Sequence, residues 1–192
     1  KEIAQFDGRI KEELLDKKTV KVFRIYRDVR FSKNKAPYKT NFGGTISPKG
    51  MESGNPGYYV HVEPGESFLA GGLHMPDPKV LAKIRAAIAK DDKKLRKILQ
   101  NPAFKKTFAG LDEYMVLKTV PQGFAKDHPA ADLLKFKSFI ALHKVSNKDV
   151  TKATFQKEAA KNFQISLCLP SLPRHVFVSK GTRQPSLVKP PI

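Results

Sequence analysis

Residues 57–73, GYYVHVEPGESFLAGGL, constrain the fold more than any other stretch. Tyr58, Val60 and Val62 alternate with Tyr59, His61 and Glu63, the period of two expected of a strand with one buried face. Pro64-Gly65 then reads as a turn, and residues 67–72 return as the partner strand. A hairpin here commits the chain to antiparallel pairing. Other elements must then cover the apolar face.

Helical patterns surround the hairpin. Ile3, Phe6, Ile10 and Leu14 recur at threes and fours, which predicts a helix over residues 1–18, weakened at Gly8. Asp77 before Pro78 reads as an N-cap followed by proline at the first helical position. Val80, Leu81, Ile84, Ala87 and Ile88 form the apolar face of that helix. Asp91 or Asp92 caps a shorter helix carrying Leu95, Ile98 and Leu99, and Phe104 and Phe108 predict one more turn after Asn101-Pro102. Residues 115–120 read as extended, Asp127 as the cap of a helix bearing Leu133 and Leu134, and residues 137–145 as a strand. Ser146 and Asp149 have capping-box spacing and open a helix toward Phe163. From Gln164 the pattern fails, and Pro170, Pro173, Pro185, Pro190 and Pro191 interrupt the rest. These elements predict an α+β fold in a single domain over residues 1–163, a mostly antiparallel sheet of about five strands with helices packed against it. Residues 164–192 are expected to form a proline-rich, basic, poorly ordered tail.

The chemistry concentrates in residues 24–43, RIYRDVRFSKNKAPYKTNFG. Val20, Val22, Phe23 and Ile25 favour a strand, which would put Arg24 and Asp28 on one face and Arg27 with Phe23 and Ile25 on the other. A bulge would change that assignment. Residues 32–37 read as a polar turn, and residues 38–46 as a returning strand loosened by Gly43 and Gly44. Arg24, Arg27, Arg30, Lys33, Lys35 and Lys39 face a single carboxylate, Asp28. Guanidinium forks hold carboxylates and phosphates in two-pronged geometry. One reading is an anion pocket of Arg24, Arg27, Arg30, Lys35, Tyr38 and Lys39, with Tyr38 donating a hydrogen bond and Asp28 orienting a guanidinium. The other is a solvated basic hairpin in which an Arg–Asp pair only holds a turn.

The spacing Arg24, Arg27, Asp28, Arg30, Phe31, then Asn34, Lys35, Pro37, Tyr38 and Gly43, resembles the pattern of a conserved hypothetical family, the domain of unknown function 2461. The blocks ESFLAGGL and LKTVPQGFAKDHPAADLLKFKSFIALHKV are similar to it as well. The resemblance implies a further helical region before residue 1 and a closing amphipathic helix that residues 164–192 do not resemble. It implies no reaction, so roles must come from the residues.

The formal net charge of +18, from 36 Lys and Arg against 18 Asp and Glu, favours polyanions as partners: an anionic small molecule or nucleic acid. Residues 51–72 hold no Lys or Arg, so the charge is segregated. The single cysteine, Cys168, excludes an internal disulfide and a cysteine-based zinc motif, and points to a reducing, cytoplasmic compartment. No apolar run reaches membrane-spanning length, so no membrane role is expected. No cofactor or metal motif is present: His61, His74, His128, His143 and His175 lack ligand spacing. Weak catalytic candidates are His61 and Glu63, on one strand face, meeting Asp28 from a neighbouring strand to bind a metal or move a proton. The alternative is a structural histidine, with His74 and His128 as local hydrogen-bonders. Gly71-Gly72 ahead of a helix could cradle a phosphate or simply make a tight turn. Tyr26, Phe31, Tyr38 and Phe42, interleaved with the cations, read either as a base-stacking surface or as core.

Overall fold

The structure, a computed structural model, describes residues 2–10, 19–48 and 55–166. Five strands make one antiparallel sheet in chain order: β1 (Val20–Val22), β2 (Phe42–Ile46), β3 (Gly57–Val62), β4 (Phe68–Leu73) and β5 (Phe139–Lys144). The expected α+β fold is therefore present. The central hairpin pairs Tyr58 with Gly71 and His61 with Phe68, as the alternation requires. Helices α1 (Pro78–Lys90), α2 (Lys93–Gln100), α3 (Pro102–Phe108) and α4 (Ala131–Leu134) fill the connection from β4 to β5. After β5 come α5 (Asn147–Val150) and α6 (Phe155–Ser166).

Register decides which residues share a face. Tyr58, Gly71 and Ala141 lie in one row, and Val60, Leu69 and His143 in the next. This face meets the helices. The Tyr58 ring packs on Phe163 of α6, and Leu73, Phe139 and Ala141 join Ile84, Ile88, Leu95, Phe104 and Leu134 in the larger core cluster. A second cluster gathers Ile3, Ile10, Tyr58, Leu69 and Phe163. Gly71 has no room for a side chain, because a Cβ there would meet Ser166 of α6. The opposite face carries Thr45, Gly43, Tyr59, His61, Phe68 and Ala70.

Local signals placed several helices. Asp77 Oδ1 accepts from Lys79 N, with Pro78 opening α1. Asn101 Oδ1 accepts from the amides of Ala103 and Phe104 at the start of α3. Arg96 of α2 bonds Asp92 at the N-cap of that helix and both carboxylate oxygens of Asp132, latching α2 to α4.

Other expectations are corrected. Only Glu2–Gln5 of the predicted first helix is helical among residues 2–10, as a 3-10 turn that Asp7 and Ile10 continue as turns, and residues 11–18 lie outside the described residues. Asp127 does not cap α4; Ala130 occupies that position and its amide donates to His128 Nδ1. Ser146 caps α5 as expected, but the helix stops at Val150, and α6 begins only at Phe155. Gly71 and Gly72 sit inside β4 rather than at a helix start, and Asp77 already caps α1, so the glycine pair makes no phosphate cradle. Apart from the end of α6, the predicted tail lies outside the described residues.

Candidate functional site

Phe42 at the start of β2 pairs with Val62 at the end of β3, so residues 23–41 project past the end of the central strands as an arm. Its two sides stay connected. Phe23 N donates to Gly43 O, Lys39 N to Ile25 O, and Arg27 N to Pro37 O, and Tyr26 bridges Tyr38. The register changes along it. Val20–Val22 pair with Ile46–Gly44, but Tyr26 pairs two residues further back than that ladder would place it. The surplus residues bulge on the returning side, around Thr40 and Asn41. The continuous strand expected through Asp28 is thus interrupted after Val22.

Within the arm, Asp28 holds Arg30 in a two-pronged pair, Nε to Oδ1 at 3.0 Å and Nη2 to Oδ2 at 2.8 Å. Lys35 Nζ donates to Val29 O at 3.0 Å, and Arg27 Nη2 lies 3.4 Å from Ser32 Oγ. These contacts shape the loop. Among the described residues Arg30 is the one arm cation with a carboxylate partner; Arg24, Arg27, Lys33, Lys35 and Lys39 have none. The core reading of the aromatic residues is overturned. Tyr26 is 57% exposed, Phe31 95%, Tyr38 56% and Phe42 59%. An arm beyond the last paired residue of β3 stands outside the reach of α6, so its rings find each other instead. Tyr26 and Tyr38 lie 5.6 Å apart, and the Arg30 guanidinium sits 5.9 Å from the Phe31 ring.

Beside the arm, on the sheet face away from α6, four side chains form a hydrogen-bonded relay. Tyr59 Oη lies 3.0 Å from His61 Nδ1, and His61 Nε2 lies 3.0 Å from Glu63 Oε2. Thr40 Oγ1 donates to Glu63 Oε1 at 2.5 Å. The arrangement is satisfied by a neutral His61 with its proton on Nε2: the phenol donates to Nδ1, and Nε2–H donates to the carboxylate. The His61 ring is stacked on Phe68 at 4.7 Å, which sets its plane. Hydrogen bonds from Thr40 and His61 hold Glu63 below the ordinary carboxylate value. Burial, and then the charge of Glu63, push the Tyr59 phenol up.

Gly43 gives this relay its space. It lies opposite His61, and a Cβ there would stand 2.6 Å from Tyr59 Oη. The glycine of the sequence motif is therefore where the Tyr59 hydroxyl passes over β2.

Of the sequence candidates, the structure brings His61 and Glu63 into contact. Asp28 has both carboxylate oxygens engaged by Arg30, on the arm. No group of three His, Cys, Asp or Glu residues that could hold a metal occurs among the described residues. Thr40 and Tyr59 join the site only in the structure. Tyr59 was legible from its alternation with His61, whereas Thr40 reaches Glu63 only because of the bulge. No helix of the described residues is long and apolar enough to cross a membrane.

The family model described as "Conserved hypothetical protein (DUF2461)" matches residues 1–169. No curated protein and no solved structure matches the chain.

Proposed function

The chain belongs to the conserved hypothetical family DUF2461, and from that premise we propose that its arm, residues 23–41, binds an anionic, phosphate-bearing ligand. The family name carries no chemistry, so the reading rests on the residues. One observation carries it: five of the six arm cations have no carboxylate partner among the described residues, although Asp28 stands in their midst. Asp28 satisfies Arg30 and shapes the loop, which leaves Arg24, Arg27, Lys35 and Lys39 to meet a ligand. Tyr38 contributes its exposed ring and hydroxyl. Guanidinium and ammonium groups without carboxylate partners on one projecting element suit phosphate oxygens, which accept several charge-assisted hydrogen bonds. The net charge of +18 favours the encounter. The single cysteine supports a reducing compartment, and we place the protein in the cytoplasm.

The test is binding of the full chain to inorganic polyphosphate and small phosphates across a salt series. The variant Arg24→Ala/Arg27→Ala should keep its fold and bind more weakly, with a salt slope smaller by about two counterions. Unchanged binding in that variant would overturn the proposal.

A second reading has its own observation. The Glu63–His61–Tyr59 relay orients an imidazole between a carboxylate and a phenol, the layout of a general acid–base group. In that reading the arm holds substrate charge, and His61 and Glu63 move a proton in a hydrolytic or phosphoryl-handling step through Tyr59. His61→Asn would then abolish turnover of a phosphate ester without weakening its binding.

A further inference from the structure

The exposed rings of the arm call for a more specific ligand than phosphate alone. Tyr26, Phe31 and Tyr38 on the arm, and Phe42 at its base as the first residue of β2, each expose more than half of their surface, all within residues 26–42. Val22 and Ile25 beside them are exposed as well. Apolar and aromatic side chains gathered on a protein surface mark a contact site. The cations narrow the choice of partner. Arg24, Arg27, Lys33, Lys35 and Lys39 are interleaved with the rings along the chain and lack carboxylate partners among the described residues. An acidic protein surface would satisfy the cations, but would leave the ring faces against carboxylates. A polymer that presents a flat aromatic surface and a phosphate at every repeat satisfies both sets at once.

We propose that the arm is a binding surface for single-stranded nucleic acid, in which bases stack on Tyr26, Phe31, Tyr38 and Phe42 while Arg24, Arg27 and Lys39 hold the phosphates. The inference rests on the anion-binding reading above and deepens it. Unpaired bases offer their faces to such rings, whereas a duplex keeps its bases stacked inside, so the surface discriminates single strands from duplexes. Every base has a π-face, so the surface tolerates most sequences. The paired Tyr26 and Tyr38 rings, 5.6 Å apart and tilted by 36°, form one platform, and Phe31 at the tip of the loop forms another. The Asp28–Arg30 pair, the Lys35–Val29 contact and the backbone bonds across the arm preorganise the loop that carries Phe31.

The full chain should be titrated into a labelled single-stranded RNA, the same sequence as single-stranded DNA, a duplex, inorganic polyphosphate, and vesicles rich in anionic lipid. The ring variants Phe31→Ala and Tyr26→Ala/Tyr38→Ala stand beside Arg24→Ala/Arg27→Ala. Each ring is largely exposed, so its removal leaves the core intact, which circular dichroism checks. The expected result is tighter binding of single strands than of duplex, weakened about tenfold or more by each ring variant, with polyphosphate binding unchanged in the ring variants. Tyrosine emission gives an independent readout, since the chain contains no tryptophan. It should be quenched by single strands, not by polyphosphate. Ring variants that bind single strands like wild type, or equal affinity for single strand and duplex, would overturn the inference. Polyphosphate binding lost in the arginine variant would still support the anion reading in that event. Binding confined to vesicles would assign the rings to a lipid surface and overturn it as well. No binding to any polyanion would remove both readings.

Discussion

Replacing Gly43 by alanine probes the link between the family motif and the relay. The new Cβ would lie 2.6 Å from Tyr59 Oη, 3.1 Å from its Cε2 and 3.2 Å from its Cζ. The phenol cannot swing aside freely, because Phe23 meets its ring at 6.2 Å, Phe68 meets it at 5.6 Å, and His61 holds the hydroxyl at 3.0 Å. Overpacking of this kind costs about 1–3 kcal/mol. Losing the Tyr59–His61 hydrogen bond costs about 1 kcal/mol. Alanine recovers about 0.5–1 kcal/mol of the backbone entropy that glycine loses on folding, so the steric effect wins and the net loss is roughly 1–3 kcal/mol. Tyr59→Phe alone removes only the hydrogen bond, at about 1 kcal/mol. In Gly43→Ala/Tyr59→Phe the closest clash disappears, so the double variant should be more stable than the sum of the single changes predicts, by about 1 kcal/mol. Urea unfolding of the full chain, followed by circular dichroism, measures all four proteins. A neutral Gly43→Ala, or costs that add to within about 0.3 kcal/mol, would refute the packing argument.

Acid should weaken the fold through Asp7. Its carboxylate is 2% exposed and accepts from Tyr58 Oη at 2.7 Å and from the Arg9 guanidinium at 2.8 and 2.6 Å. Burial alone would raise it, but the bonds from Arg9 and Tyr58 outweigh burial and hold it below the ordinary carboxylate value. A depressed carboxylate contributes stability that is present above the unfolded value, about pH 4, and is lost as pH falls through the folded value. The stability gap between wild type and Tyr58→Phe should therefore narrow as pH is lowered from about 6 to about 2; a gap that stays constant in urea titrations contradicts this. Asn101→Ala removes the acceptor for two amides at the start of α3 and should cost about 1 kcal/mol by the same assay, whereas Asn101→Asp should cost much less.

The parts legible in the sequence are those governed by neighbours in the chain. The period of two over Tyr58–Val62, the Pro64-Gly65 turn and the Asp77-Pro78 helix start each depend on a few adjacent residues, and each took the predicted form. His61 and Glu63 fell on one face for the same reason, because alternation puts residues two apart side by side. The first helix over residues 6–10, and the Asp127 cap, failed where the same local rules met stronger tertiary demands. Asp7 turned inward to Tyr58, a residue 51 positions away, and the His128 side chain took the amide of Ala130, the residue that stands at the cap.

By itself, the sequence determined the antiparallel hairpin, the helix caps, the clustering of cations on one element and the membership implied by its motif. Tertiary structure alone decided that the arm runs past the end of β3, which turned its rings outward. It also decided that the bulge at Thr40 and Asn41 brings Thr40 to a carboxylate 23 residues away. Both outcomes depend on register, and register is set by how whole strands pair. A shift of the ladder changes every partner while leaving each residue's own preference as it was.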